Sequence, residues 1–202
     1  MSPEPDTGAL LNAELRTLNL SLPPTRQQRL VTYAAELERW NQRINLTALR
    51  GQELIRRLIV EPIWIGHRLQ LSGVLADVGS GNGSPGIPLA ISHSMSRVYL
   101  IEARQKRAAF LRHVAGTLHL EEIFVYRNRL DQIEDVIDLP NWITIQAVAP
   151  NPRLLWSLRS FALPTTKIVW ITSRKVSSPL AAERLVVPGS DTEIRIFGVD
   201  QF

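Results

Sequence analysis

Cysteine is absent from the 202 residues. Its absence excludes disulfides, cysteine-ligated zinc, iron–sulfur clusters and any thiol nucleophile, and it removes the usual mark of an oxidising compartment. Lysine is almost as scarce, with 3 residues against 20 arginines. No apolar run approaches the roughly 18 residues of a membrane-spanning helix. Met1 to Gly8 is acidic and proline-rich, the wrong chemistry for a signal or transit peptide. Repeats and low-complexity tracts are missing too. The four histidines, His67, His93, His113 and His119, lack metal-ligand spacing, the nearest pair lying six apart, so no metal is expected. The expectation is a soluble, cytoplasmic monomer long enough to bury a core unaided.

The base that is present is unevenly spread. The net charge is +4. Residues 1–129 carry 16 basic and 11 acidic side chains; residues 130–202 carry 7 and 8. Arginine's planar fork suits phosphate and carboxylate. Base gathered in the first two-thirds points to an anionic partner, nucleic acid first.

Hydrophobic spacing divides the chain in two. Residues 1–72 read as a helical extension. Leu10, Leu11, Leu15 and Leu18 mark one helix. Pro23-Pro24 resets the chain, and Leu30, Tyr33, Leu37, Trp40 and Ile44 line one face of a second. A third covers 53–71, with a kink or break at Pro62. Residues 73–202 alternate strands at 74–78, 98–101, 123–126, 142–147 and 168–172 with helices at 85–93, 104–119 and 153–161. That alternation predicts an α/β fold, a Rossmann-like, mostly parallel sheet. The segments 184–187 and 193–199, bounded by Pro188-Gly189, predict an antiparallel C-terminal hairpin. Trp40, Trp64, Trp142, Trp156 and Trp170 fall on apolar faces and are expected in the core.

The chemistry concentrates where the first strand runs into Asp77-Val78-Gly79-Ser80-Gly81-Asn82-Gly83-Ser84-Pro85-Gly86. Glycines there let the backbone turn tightly and approach a ligand, and the next helix offers free N–H groups. Gly81-x-Gly83-x-x-Gly86 matches the dinucleotide fingerprint formally, but it begins late in the loop and contains Pro85. The better frame is Asp77-x-Gly79-x-Gly81-x-Gly83. A carboxylate beside a pyrophosphate is repulsive; it suits a cationic amino group. S-adenosylmethionine carries an ammonium, a sulfonium and no phosphate, and Glu102, ending the next strand, is placed for its ribose hydroxyls.

These segments resemble the glucose-inhibited division protein B (RsmG) family, methyltransferases that modify a guanine N7 in small-subunit ribosomal RNA. The likeness runs from about Arg39 to Lys175. It is carried by Trp40-Asn41-Gln42-Arg43-Ile44-Asn45-Leu46-Thr47-Ala48, by the run from Asp77 to Leu89, by the acid–basic–aromatic stretch Ile101 to Leu111, and by Arg129-Leu130-Asp131. The resemblance implies a methyltransferase sheet, S-adenosylmethionine as cofactor, and ribosomal RNA or the small subunit as partner. It assigns Asp77, Gly79, Gly81, Gly83, Ser84, Glu102, Leu130, Asp131 and Gln146 to the cofactor, the backbone and carboxylate at 130–131 meeting the adenine. Asn45, Arg50, Arg56, Arg57, Arg104, Lys106 and Arg107 then flank the site and are expected to hold RNA phosphates. No catalytic residue is assigned, because guanine N7 has an in-plane lone pair and needs no base. The missing cysteine also excludes carbon-5 pyrimidine methylation through a thiol adduct and radical chemistry on an iron–sulfur cluster.

The chain departs from the family on the substrate side. Leu58-Ile59-Val60-Glu61-Pro62 stands where the family carries His-x-x-Asp-Ser. Ile145-Gln146-Ala147-Val148-Ala149-Pro150 stands for Ser-Arg-Ala-Val-Ala-Pro, so Gln146 replaces an arginine. Ser84 replaces an aromatic or apolar residue. A glutamine supplies neither the charge nor the donor fork. Three other readings stay open on sequence alone: a non-catalytic RNA-binding or assembly module on the same fold, a small-molecule methyltransferase, and a nicotinamide oxidoreductase resting on Gly81–Gly86.

Overall fold

The computed structural model describes residues 6–133, 136–149, 151–174 and 183–201. Pro150, Lys175 and the first five residues lie outside the described residues. No helix among the described residues is long and apolar enough to cross a membrane.

Two helices open the chain, α1 (Thr7–Thr17) and α2 (Pro24–Asn41). The Asp6 side chain caps α1 by accepting from the Gly8 N–H. Pro24 starts α2 where its fixed φ and missing N–H cost nothing. The periodic residues Leu30, Tyr33 and Leu37 are fully buried along α2. The third helical stretch is continuous but changes pitch: α3 (Gly51–Ile55), a π-helical turn at Arg56–Val60, and α4 (Glu61–Leu69). Pro62 has no N–H for the Leu58 carbonyl. The widened turn just upstream absorbs that break, with the Glu61 N–H reaching the Arg56 carbonyl.

The rest forms a seven-stranded sheet in the order β3-β2-β1-β4-β5-β7-β6. The strands are β1 (Gly73–Val78), β2 (Met95–Ile101), β3 (Ile123–Tyr126), β4 (Trp142–Gln146), β5 (Lys167–Ser173), β6 (Glu183–Val186) and β7 (Thr192–Gly198). β1 to β5 run parallel, while β7 lies antiparallel between β5 and β6. Helices α5 (Gly86–Ser92), α6 (Gln105–Thr117) and α7 (Pro152–Phe161) fill the crossovers.

Alternation along the strands separates two cores. Leu75, Val98 and Leu100 pack with α1, α2, α4, α5 and α6 on one face. Val74, Ala76, Val78, Tyr99 and Ile101 pack with Leu158 and Phe161 of α7 on the other. The N-terminal helices therefore share one apolar cluster with a face of the sheet. Trp170 is buried as expected, but Trp156 is 65% exposed, a correction to the sequence reading. It lies about 200° around α7 from the buried Leu158.

Arg56 also departs from expectation. It joins the extension to the C-terminal hairpin instead of facing a phosphate. Its guanidinium donates to Glu14 at 3.0 Å, to Thr17 Oγ1 at 2.8 Å and to the Pro188 carbonyl at 2.6 Å, and its Nε lies 3.5 Å from Glu61. Glu14 and Glu61 are buried, and Glu61 also accepts from Thr192 Oγ1 at 2.6 Å. Arg56→Ala would leave two buried carboxylates short of a counter-charge. Gln52 and Arg57 remain beside them, so the expected loss is about 2 kcal/mol, below that of a fully orphaned buried pair. Urea denaturation measures it; a change under about 0.5 kcal/mol would show the clamp to be redundant.

Candidate functional site

A crevice opens at the carboxyl ends of β1, β2 and β4, where the strand order reverses and α/β sheets bind ligands. It has two basins. One, of about 570 Å³, is lined by Leu46, Thr47, Leu58, Gly81, Ser84 and Gln146 among others. The second, of about 360 Å³, is lined by Ile101, Asn128, Leu130, Asp131 and Leu154 among others. Gly79, Glu102, Arg104 and Val148 line both, so the basins meet over the first loop glycine.

The glycine loop is held on three sides. Below, the Gly79 and Ser80 N–H groups donate to the Ile101 carbonyl at 2.9 and 3.1 Å. From the helical extension, the fully buried Tyr33 hydroxyl donates to the Asn82 carbonyl at 2.9 Å. Above, Glu102 accepts from the Gly81 N–H at 3.1 Å with one carboxylate oxygen and from the Arg104 N–H at 2.7 Å with the other. The loop needs its glycines. Gly83 has φ +93°, and a Cβ there would stand 2.5 Å from Ile87 Cδ1. At Gly81, φ is +50° and a Cβ would point into the crevice, 3.5 Å from Arg107 and 3.9 Å from Glu102.

Asp77 is not a wall of the crevice. It shares its strand face with Leu75, beneath α5, and is 1% exposed. Oδ1 accepts from Thr144 Oγ1 at 2.8 Å. Oδ2 has no hydrogen-bond partner and lies where a Cβ on Gly86 would approach to 3.0 Å. Burial, with a smaller contribution from the charge of Glu102, pushes its carboxyl up to about 7. The sequence pattern sets this carboxylate against the ligand; the structure puts it one layer below, supporting the loop.

The remaining expected cofactor residues do come together. Gly79, Gly81, Ser84, Glu102 and Gln146 line the larger basin; Leu130 and Asp131 line the smaller. Gly83 shapes the loop from behind. Asp131 is paired with Arg153 of α7, Nε lying 2.7 Å from its carboxylate. The two departures at 84 and 146 meet each other: Ser84 Oγ donates to Gln146 Oε1 at 3.2 Å.

The expected phosphate-holding residues divide. Arg104, Lys106, Arg107 and Asn45 gather with Arg43 around a depression at the rim of the larger basin, and Arg107 donates to the Asn45 carbonyl at 3.1 Å. Arg57 lines the basin but is paired with Asp191 at 2.5 Å. Arg50 donates to the Thr47 and Leu49 carbonyls and borders a different depression, with Glu14 and Glu53. Arg56 is the clamp between the extension and the hairpin.

Three positions escape sequence reasoning. Asn41 is the hub of the segment before the crevice: its Oδ1 accepts from the Leu46 and Thr47 N–H groups, and its Nδ2 donates to the Thr47 carbonyl. Thr144 holds Asp77. Tyr33 has a legible signal, because a tyrosine in an aliphatic stripe must find a partner for its hydroxyl. Among the described residues no group of histidine, aspartate or glutamate is arranged to hold a metal ion.

The family model described as GidB, rRNA small subunit methyltransferase G, matches residues 26–185. A ribosomal RNA small subunit methyltransferase G from Neisseria gonorrhoeae is 34% identical over 197 residues, covering 92% of this chain and 94% of that protein. One from Polynucleobacter asymbioticus is 38% identical over 133 residues, covering 63% of this chain and 60% of its own. Among solved structures, a mutant of MtNAS in complex with S-adenosylmethionine shares the fold at a TM-score of 0.54 and 17% identity, covering 94% of this chain and 72% of that one. Sequence, sheet order and crevice agree, and the chain belongs to the rRNA small subunit methyltransferase G family.

Proposed function

We propose that this protein binds S-adenosylmethionine across the two basins and transfers its methyl group to a guanine N7 of small-subunit ribosomal RNA. One observation carries the reading: a loop-floored crevice that continues at its rim into the cluster Arg43, Arg104, Lys106 and Arg107. The residues fit the cofactor. Glu102 stands at the junction of the basins with both carboxylate oxygens oriented by backbone N–H groups, ready for a ribose diol. Leu130, Ile101 and Leu154 give the smaller basin an apolar lining for an adenine, with Asp131 at its edge. The larger basin takes the amino-acid arm and the acceptor base. When bound, the cofactor supplies an electrophilic methyl group on a sulfonium.

The chain's own contribution is positioning. Leu46, Leu49, Leu58 and Val148 give the larger basin an apolar wall against which a base can pack. The rim cations hold the RNA backbone and bring one base to the loop. No side chain has to take a proton, because the N7 lone pair is already available. We place the protein in the cytoplasm, acting as a monomer on the small subunit or its RNA.

The direct test incubates purified protein with S-adenosylmethionine and small-subunit RNA or subunits and looks for N7-methylguanine by mass spectrometry. Its absence with both substrates would overturn the reading. A second expectation concerns salt. Each cation that neutralises a phosphate of single-stranded RNA adds about 0.7 to the steepness of log affinity against log salt. Replacing Arg43 and Lys106 together by alanine is therefore expected to flatten that slope by about 1.4. Wild-type binding that ignores salt would remove the rim from the RNA interface.

A further inference from the structure

Gln146 ends β4, where the parallel register sets it beyond Ile145, the partner of Val78 on β1. It therefore stands over the mouth of the glycine loop. Its amide has two different ends. Oε1 is occupied by the Ser84 hydroxyl at 3.2 Å. Among the described residues Nε2 has no hydrogen-bond partner, and it is not one of the buried unpartnered atoms, so it meets the open basin. The next residue, Ala147, holds φ +55°, a conformation a non-glycine residue adopts only under constraint. The turn that carries the amide is thus set by the backbone as well as by Ser84. Arg57, Arg104, Arg107 and Glu102 are the charged groups around the same basin.

We infer that Ser84 locks the Gln146 amide so that its N–H donor reads the 6-position of the acceptor purine, making Gln146 the residue that selects guanine. The inference rests on the function proposed above. Guanine's exposed edge offers N7 and O6, both acceptors; adenine's offers N7 and the N6 amino donor. A fixed donor beside N7 finds an acceptor in O6 and opposes the amino group of adenine. The pairing leaves N7 itself free to attack. A buried donor facing a donor is rejected more strongly than one that merely lacks a partner.

The test uses an RNA carrying the methylated guanine once it has been mapped on small-subunit RNA. The same RNA is made with inosine, which keeps O6, or with 2-aminopurine, which keeps N7 and loses O6, at that position. Wild-type protein is expected to methylate guanine and inosine within about threefold of each other, and 2-aminopurine at least about tenfold more slowly. Gln146→Glu still accepts from Ser84 but presents an acceptor to the base. It is expected to lower methylation of guanine at least about tenfold and to erase the preference over 2-aminopurine. Ser84→Ala frees the amide and narrows the preference, while Ser84→Thr keeps it. The ratio between substrates is independent of how much cofactor affinity a variant retains. If wild-type protein forms no N7-methylguanine, the proposed function fails and this inference falls with it. If it does, and the guanine preference survives in Gln146→Glu, the inference alone fails.

Discussion

Gly81→Val is expected to weaken S-adenosylmethionine binding by at least about 1000-fold while leaving the protein folded. The left-handed conformation at this position, φ +50°, costs an ordinary side chain roughly 1–2 kcal/mol, and a β-branched one more. The effect on binding is larger for three reasons. First, the new methyl groups project toward Glu102 and Arg107, into the volume a ligand needs. Second, a shift of the Gly81 N–H breaks its 3.1 Å bond to Glu102, which stands between the two basins. Third, Tyr33 and the Ile101 carbonyl pin the neighbouring loop residues, so the strain cannot be spread. The fold should survive, because a Cβ at Gly81 touches nothing closer than 3.5 Å, in contrast to Gly83, where it would collide with Ile87. Titration calorimetry reads the affinity and circular dichroism the fold. Binding within tenfold of wild type would place the cofactor somewhere other than over this loop.

The parts legible in the sequence are those that local physics dictates. Strand 123–126 has its predicted bounds, and the glycines of the loop announce themselves because other residues do not tolerate that backbone. What stays hidden depends on long-range pairing. The C-terminal hairpin is legible, but nothing local says that β7 inserts between β5 and β6. Arg56 looks like one more surface cation because its partner Glu14 lies 42 residues away. Trp156 looks like core because its neighbours are apolar, yet Leu154, Leu158 and Phe161 already fill the face of α7 that meets the sheet. Asp77 looks like a wall of the site from its place at a strand end. Alternation is the better guide: it shares a face with Leu75, and that face is covered by α5. The substitutions at 84 and 146 read separately as losses; only the fold joins them in one hydrogen bond.

Between about pH 4 and about pH 8, Asp77 carries the largest expected effect of pH on stability. Burial raises its carboxyl from 3.8 in the unfolded chain to about 7 in the folded one. Below pH 3.8 both states hold the proton and the group contributes nothing. Between 3.8 and about 7 the unfolded chain has released its proton while the folded protein keeps it, so stability falls as pH rises, by about 1.4 kcal/mol per unit. Above about 7 both states are ionised and the penalty is constant, on the order of 4 kcal/mol. Other carboxylates work in the opposite direction: Glu36, lowered chiefly by its hydrogen bond from Arg39, and Asp191, lowered by its bond from Arg57, add stability as pH rises. Asp191 is exposed and Glu36 is paired with an exposed arginine, so solvent screens both and their contributions are small. The clean measurement is therefore a difference between two proteins. Asp77→Asn keeps an acceptor for Thr144 but cannot ionise. It also sets an amino group against Gly86, which shifts its stability by a fixed amount at every pH. Relative to wild type, the variant is expected to gain on the order of 4 kcal/mol between about pH 4 and about pH 8, whatever that fixed amount is. Urea denaturation at half-unit steps follows the difference. A flat difference across that range would mean that Asp77 ionises in the folded protein as easily as in the unfolded chain, and that the loop rests on a charge, not on a buried proton.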